Sequence, residues 1–146
     1  MDSEAVNFLG AGYIGPVPFP VIEMAILVVI FSLFLRLTVL GRQIYATGSN
    51  MEAARLSGVH VDRVQLFAYT VTGGLSALAG IMEGGLLSTA ATNAGTGKEL
   101  DVIAAVVIGG ASLVGGEGTI YGAIIGAAIM AVIRNAFVLL HLPIHM

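Results

Sequence analysis

The chain is a series of long apolar runs separated by shorter polar stretches. Two of the runs, residues 21–40 and 63–87, are each long enough to provide the roughly 20 residues that cross a hydrocarbon core as a helix. A third run, residues 100–114, barely reaches that length, and the glycines that follow Ile108 favour a break in it. A fourth run covers residues 120–140. The pattern predicts about four apolar spans, of which the third either crosses fully or is short, broken or re-entrant.

Residues 10–20 precede the first run and are rich in glycine and proline. Proline lacks a backbone N–H and glycine is unfavourable inside helices, so this stretch is predicted to be an irregular lead-in at the membrane surface. The first span is therefore expected to begin after Pro20.

The longest polar interruption, residues 41–62, is predicted to be a loop that contains one short helix. Ser49 can cap this helix, and Glu52, three residues later, can complete a capping box. Gly58 is suited to a left-handed stop, which limits the helix to about two turns. So short a helix is marginal alone in water, and we expect a partner protein to hold it. Asp62 closes the loop as the expected cap of the next span.

Four of the six cationic residues flank or lie within this interruption, namely Arg36, Arg42, Arg55 and Arg63. Cytoplasmic loops carry an excess of Lys and Arg, so residues 41–62 are predicted to face the cytoplasm. The span before the loop then runs inward, and the span after it returns outward.

Composition places the whole chain in the membrane class. Hydrophobic residues make up 57% of the 146 residues and charged residues 10%, whereas a soluble domain has about 45–50% apolar residues. The predicted fold class is all-α, a polytopic transmembrane helical bundle in contact with the lipid bilayer. The net charge of -3 is too small to indicate nucleic acid as a partner, and the absence of cysteine excludes disulfides and Cys-ligated metals.

Small residues in the spans indicate close helix packing. GxxxG spacing occurs from Gly80 to Gly84 and from Gly122 to Gly126, and it lets helix backbones approach closely where no hydrophobic effect drives association. The predicted packing glycines are Gly80, Gly84, Gly109, Gly110, Gly122 and Gly126. Substrate contact is the alternative interpretation of these glycines.

Glu83 lies well inside the second span, where an ionised residue costs about 2.5–3.5 kcal/mol on insertion scales. Such residues usually face a bundle interior or a water-filled path, so Glu83 is a candidate for lining a translocation route. Two alternatives are an ion pair with a residue such as Arg134 and a position near the outer headgroups. Further candidates for the same path are Asn93, Glu99 and Asp101.

Three motifs suggest other chemistry, but each departs from the pattern that the chemistry requires. NAGTGKE resembles a phosphate-binding P-loop, but Thr92 replaces a required glycine and Glu99 replaces the required Ser or Thr. GGEGTIYG has Tyr121 at the third glycine position of a dinucleotide motif. His141 and His145 are separated by a proline that prevents a shared helical face. The sequence predicts no catalytic residue, no metal and no cofactor, so the chain is not expected to be an enzyme.

Four ordered segments resemble a known family. They are FLGAGYIGPVPFPVI, GRQIYATGSNMEAARLSGV, GTGKELDVIAAVVIGGASLVGGEGTIYG and IRNAFVLL, and they cover nearly the whole chain. These segments resemble the C-terminal half of the permease subunits of bacterial ABC importers for monosaccharides, the ribose/xylose/galactose group. The resemblance implies that residues 1–146 are the C-terminal portion of an importer transmembrane domain in the inner (plasma) membrane.

The resemblance also implies partners and a contact site. A permease of this group pairs with a second permease copy, receives sugar from a periplasmic binding protein and is driven by a separate ATPase subunit that binds the ATP. The family's EAA-type coupling loop, which contacts the ATPase, matches Glu52, Ala53, Ala54 and Gly58, and the coupling region also includes Ser49, Asn50 and Arg55. Ala53 and Ala54, being small, are expected to face the ATPase at close range. Alternatives are a permease of the same superfamily for nucleosides or branched-chain amino acids, and a membrane fragment that packs against other helices without transporting.

Overall fold

A computed structural model of the protein describes residues 4–87, 92–93 and 95–140. These residues form seven helices and one two-stranded hairpin, which confirms the all-α, polytopic fold class. In chain order the elements are α1 (Glu4–Ala11), β1 (Tyr13–Ile14), β2 (Val17–Pro18), α2 (Phe19–Leu37), α3 (Val39–Ser49), α4 (Met51–Leu56), α5 (Val61–Leu87), α6 (Lys98–Ile108) and α7 (Ile120–Leu139). His141 and His145, considered above as a metal pair, lie outside the described residues.

Among the described residues, three helices are long and apolar enough to cross a membrane: α2, α5 and α7. Their most apolar windows have mean hydropathies of 2.2, 1.4 and 2.0, and only 6% of each window is buried inside the chain. The short third run is α6, whose 11 residues rise about 16 Å, roughly half of a hydrocarbon core. Of the four predicted spans, three are therefore of full length and one is not.

The break after α6 comes at the glycines. Gly109 ends the helix, and Gly110 takes a φ of +91°, a left-handed conformation that glycine adopts without a steric penalty. Helical structure resumes after Thr119, whose side chain accepts a hydrogen bond from the Gly122 N–H at 3.0 Å. The third apolar run, residues 100–114, which was predicted either to cross fully or to be broken, is thus helical only as far as Ile108.

The prediction of an irregular lead-in over residues 10–20 is wrong at both ends. α1 continues through Ala11, and α2 already begins at Phe19, so only the hairpin between them is non-helical. Gly15 occupies the hairpin turn with a φ of +63°. Pro20 is tolerated in the first turn of α2 because the backbone N–H that it lacks would have no helical partner there.

The first span ends at Leu37, earlier than the predicted Leu40. Thr38 leaves the helical region with φ -97° and ψ 153°, and its hydroxyl joins the two flanking helices. The hydroxyl donates to the Phe34 carbonyl at 2.5 Å and accepts from the Gly41 N–H at 3.1 Å. The polar interruption therefore begins with a capped helix, α3, that the sequence did not predict.

α5 begins at Val61, two residues before the predicted start at Arg63. Asp62 was expected to cap this helix, but it lies inside the first turn, and its carboxylate pairs with Arg55 of α4 at 3.2 Å. Val61 and Val64 are 2% and 3% exposed. Burial of this apolar face therefore stabilises the first turn of α5, which Asp62 does not cap.

α6 and α7 pack as an antiparallel pair through small residues. A Cβ built on Gly126 would overlap the Ala105 carbonyl, and one built on Gly122 would overlap the Gly109 carbonyl. Residue numbers increase along α6 from Ala105 to Gly109 while those of their contacts on α7 decrease from Gly126 to Gly122, so the two helices are antiparallel. Only glycine allows backbones to approach this closely.

Three of the predicted packing glycines make no such contact. A Cβ built on Gly80, Gly84 or Gly110 would meet no atom within 4 Å in the described part of the chain. The next glycine, Gly85, instead packs against Gly10 of α1. Successive helical residues point about 100° apart, so α1 covers the face of Gly85 and leaves the face of Gly84 open.

Candidate functional site

α4 is a six-residue helix whose first turn is capped by Asn50. Asn50 has the extended conformation of a cap residue, and its side-chain oxygen accepts a hydrogen bond from the Ala53 N–H at 2.9 Å. The prediction that Ser49 caps this helix is wrong, because Ser49 is the last helical residue of α3 and a cap residue must be non-helical. Glu52 then occupies the second helical position, where its charge favours the helix N-terminus without completing a capping box.

Gly58 provides the left-handed stop after α4, as the sequence predicts. Gly58 has a φ of +87°, and its N–H donates to the Arg55 carbonyl at 3.0 Å. The N–H of Val59 donates to the Ala54 carbonyl, also at 3.0 Å. These two bonds form a Schellman motif, which satisfies carbonyls at the end of a helix. Specific hydrogen bonds therefore hold both ends of this short helix.

α4 has one buried side chain and a broad exposed face. Ala54 is 5% exposed, so the expectation that it faces the ATPase is wrong: its side chain is already covered by this chain. Ala53 is exposed, so its predicted contact with a partner stays a prediction. The full exposed face consists of Met51, Glu52, Ala53, Arg55 and Leu56. Leu56, at 86% exposure, is its most prominent apolar member.

The ion pair between Arg55 and Asp62 joins α4 to α5 across the intervening turn. Its two side chains are 58% and 89% exposed. Exposed pairs contribute about 0–1 kcal/mol, so this pair adds little to the stability of the turn. The caps and the burial of Ala54 therefore fix the position of α4.

Residues 115–118, which we call the glycine segment, pack against the end of α3. The Tyr45 hydroxyl donates to the Gly118 carbonyl at 2.6 Å. A Cβ built on Gly48 would lie 2.6 Å from the Gly116 nitrogen, and one built on Gly116 would lie 2.6 Å from a backbone atom of α3. The two backbones are thus in direct contact, with no room for a side chain between them.

This contact connects α4 to a membrane span. Asn50 alone separates α3 from α4, and Thr119 alone separates the glycine segment from α7. Sequence reasoning missed the contact because it assigned the glycines after α6 to a helix break. The sequence does show a glycine in a polar stretch, Gly48, and a separate run of glycines at 115–118. Nothing in the sequence indicates that these two features contact each other.

Two of the three charged residues proposed for a translocation path, Glu83 and Asp101, are held in ion pairs. Glu83 pairs with Lys98 at the start of α6, and Asp101 pairs with Arg134 of α7. The alternative that paired Glu83 with Arg134 is therefore wrong, because Arg134 contacts Asp101. A nearby cation reduces the cost of placing a carboxylate in a membrane-spanning bundle.

Only two of the four candidate path residues come together, Asp101 in a cavity lining and Glu83 through its ion pair with Lys98 of that lining. Lys98, Asp101 and Arg134 line a cavity of about 300 Å³ between α6 and α7. Asn93 and Glu99 are exposed and lie outside its lining. Within the part of the chain that the structure describes, these residues do not assemble a sugar site by themselves.

A protein-family model described as "Branched-chain amino acid transport system / permease component" matches residues 1–144. The ribose import permease protein of Haemophilus influenzae is 44% identical over 139 residues, which cover 95% of this chain and 43% of that protein. The xylose transport system permease protein of the same organism is 42% identical over 143 residues, covering 95% and 38%. A probable ABC transporter permease protein of Escherichia coli is 38% identical over 139 residues, covering 95% and 42%. No solved structure matches the chain.

These matches confirm the resemblance carried by the four sequence segments. The chain spans about two-fifths of the length of the curated relatives it matches. Because the family model covers residues 1–144 and three helices are of membrane-spanning length, the chain belongs to the branched-chain amino acid transport system permease component family, as a multi-pass protein of the inner (plasma) membrane.

Proposed function

We propose that the chain is a permease component of an ABC importer that moves a monosaccharide of the ribose or xylose kind across the inner membrane. A ribose import permease and a xylose transport permease each match 95% of the chain. Transport of branched-chain amino acids is supported only by the broader description of the family model. The named relatives therefore favour a monosaccharide over the alternative substrates.

The observation that carries this proposal is the exposed, doubly capped helix α4. A permease driven by a separate ATPase needs a surface element that protrudes and yet is fixed to the membrane spans. α4 meets both requirements, because its ends are hydrogen-bonded and Ala54 anchors it. Its outward apolar side chains include Leu56 and Met51, and fully burying such a side chain contributes about 1.5–3 kcal/mol.

The proposed partner at α4 is the cytoplasmic ATPase subunit. Its surface would provide an apolar pocket for Leu56, flanked by charges that complement Glu52 and Arg55. ATP binds and is hydrolysed on that subunit, and the present chain contributes no enzymatic activity or cofactor of its own.

A movement of α4 is transmitted to the membrane span α7 through α3 and the glycine segment. Gly48 and Gly116 touch through their backbones, so no side-chain rotation can absorb the movement. The Tyr45 hydrogen bond to Gly118 holds the same contact together. In this mechanism the first turn of α7 moves with α4, which couples ATP hydrolysis to a change in the bundle.

Further partners follow from the exposure of the spans. Because only 6% of each apolar window is buried inside the chain, the described helices do not enclose a sugar path alone. A second permease copy and the remaining portion of the permease complete the path. A periplasmic sugar-binding protein delivers the sugar at the membrane face opposite α4.

Leu56 provides the test of this function. In cells that also contain the remaining permease portion, the ATPase and the sugar-binding protein, we expect Leu56→Ala to leave the membrane level of the chain unchanged. ATPase copurification and uptake of labelled ribose and xylose should both fall about tenfold, because the anchoring contact is lost. Leu56→Met keeps a similar apolar volume and should retain both activities.

Two results would contradict the proposal in different ways. If the inserted chain binds the ATPase but neither sugar accumulates above the level of cells lacking the chain, the assignment of a monosaccharide fails. If Leu56→Ala transports like the parent, α4 is not the coupling element, and a packing role without transport is favoured.

A further inference from the structure

An apolar groove of about 710 Å³ runs along α2 and α5. At one end it reaches Pro20, and at the other it reaches Ile44 of α3 and Ile124 of α7. Among the described residues that line it, only Glu23 and Thr72 have polar side chains. The Thr72 hydroxyl donates to the Ala68 carbonyl of its own helix at 2.8 Å, which leaves Glu23 as the polar group available to an occupant.

Glu23 is incompletely satisfied. Its Oε2 atom is shielded from solvent and has no hydrogen-bond partner within residues 4–87, 92–93 and 95–140. Glu23 is the fifth residue of α2, about 6 Å along the helix axis from its start. A shielded carboxyl oxygen without a partner is costly, since neither the apolar lining of the groove nor a lipid chain provides a hydrogen-bond donor.

The lining of the groove excludes a sugar as its occupant. A monosaccharide carries several hydroxyl groups, each of which requires a polar partner when it is buried. Glu23 could satisfy only one or two of them, and the rest of the lining is apolar. A lipid chain would fill the apolar part but would leave Glu23 unpaired.

An apolar helix with one polar side chain meets both requirements. The first relatives are more than twice as long as the matched region, because 139 matched residues cover 43% of the ribose permease. Those relatives therefore have further permease portions outside the matched region, and these are a source of additional apolar helices. We propose that this groove is the seat of a transmembrane helix from that remaining permease portion, and that the helix places a hydrogen-bond donor, such as a hydroxyl, amide or cationic group, level with Glu23.

This inference rests on the proposed function, because it takes the occupant from a complete permease. The test uses the full chain expressed with the unmatched portion of the Haemophilus influenzae ribose import permease. A photoreactive amino acid replaces Leu27, which lines the groove, and mass spectrometry identifies the captured peptide. The matched control replaces Val29, which lies on the same helix outside the lining and is 53% exposed.

We expect position 27 to capture an apolar peptide of the added permease portion, and position 29 to capture lipid. Glu23→Leu should lower the capture yield about tenfold, because the donor on the occupant loses its acceptor. Glu23→Gln keeps an acceptor and should lower the capture yield less than Glu23→Leu does. Thr72→Val should change nothing, since that hydroxyl bonds within its own helix.

Capture of lipid, of a second copy of this chain or of nothing at position 27 would overturn the inference, as would equal yields from Glu23→Leu and the parent. The crosslinking result can be distinguished from the result of the sugar-uptake assay. Capture of the helix without sugar uptake contradicts the proposed substrate alone, whereas uptake with lipid capture at position 27 contradicts the groove assignment alone.

Discussion

The contact between Gly48 and Gly116 can be tested by adding one methyl group. Gly48 lies inside α3, where the backbone is helical, so Gly48→Ala changes the occupied space without forcing an unusual φ. The new Cβ would lie 2.6 Å from the Gly116 nitrogen, which is closer than Cβ atoms approach other heavy atoms. The obstacle is backbone and cannot rotate away, so α3 and the glycine segment must separate.

The size of the effect follows from two opposing contributions. Overpacking costs about 1–3 kcal/mol, whereas alanine is favoured over glycine by about 0.8–1.0 kcal/mol in a helix interior. The helix α3 is therefore stabilised while its contact with the glycine segment is weakened. A loss of about 1–3 kcal/mol in a coupling contact corresponds to roughly a 5- to 150-fold change. We expect Gly48→Ala to insert normally but to couple poorly.

The assay is sugar transported per ATP hydrolysed in proteoliposomes that contain the complete permease, the ATPase and saturating sugar-binding protein. Gly48→Ala should retain ATPase copurification and hydrolysis while the transport ratio falls at least about fivefold. Gly74→Ala is the matched control, because Gly74 is also helical and its Cβ would meet no atom within 4 Å among the described residues. If both variants transport like the parent, the glycine segment does not carry the coupling.

Three further predictions concern α4. Asn50→Ala should destabilise the helix by about 1 kcal/mol, measured as faster amide exchange in α4, whereas Ser49→Ala should be near neutral because Ser49 is not the cap. Ala54→Leu should reduce the amount of folded protein, since its side chain is buried, while Ala53→Leu should accumulate normally and weaken ATPase copurification; the reverse pattern would contradict the assignment of faces. Leu56→Cys, in a chain without other cysteines, should be blocked in intact cells by a membrane-permeant thiol reagent and spared by an impermeant one; labelling by the impermeant reagent would place α4 outside the cytoplasm.

The long spans could be predicted from the sequence because their signal is local. The runs at 63–87 and 120–140 match α5 and α7 to within two residues at each end, since an apolar segment of membrane length needs no knowledge of its partners. The left-handed stop at Gly58 is local in the same sense, because it follows from the absence of a side chain.

The caps and the contact faces could not be predicted in this way. Asn50 and Ser49 are both good cap residues, and the choice between them depends on how far α3 extends. That extension begins at the Thr38 cap, which the apolar pattern does not reveal. Ala53 and Ala54 are chemically identical, so only the packing of α4 on the rest of the chain decides which of them is buried.

The short length of α6 explains how a surface helix reaches α7. α6 pairs with α7 along its own length, but the eleven residues 109–119 do not continue it. A continuous helix through this stretch would surround its backbone with side chains and could not place that backbone against Gly48. Gly115 and Gly116, with φ values of +106° and +80°, turn the chain so that its backbone lies on α3. The glycines that shorten α6 are therefore the same residues that build the contact between α4 and a membrane span, and restoring a helix through them would disconnect the two.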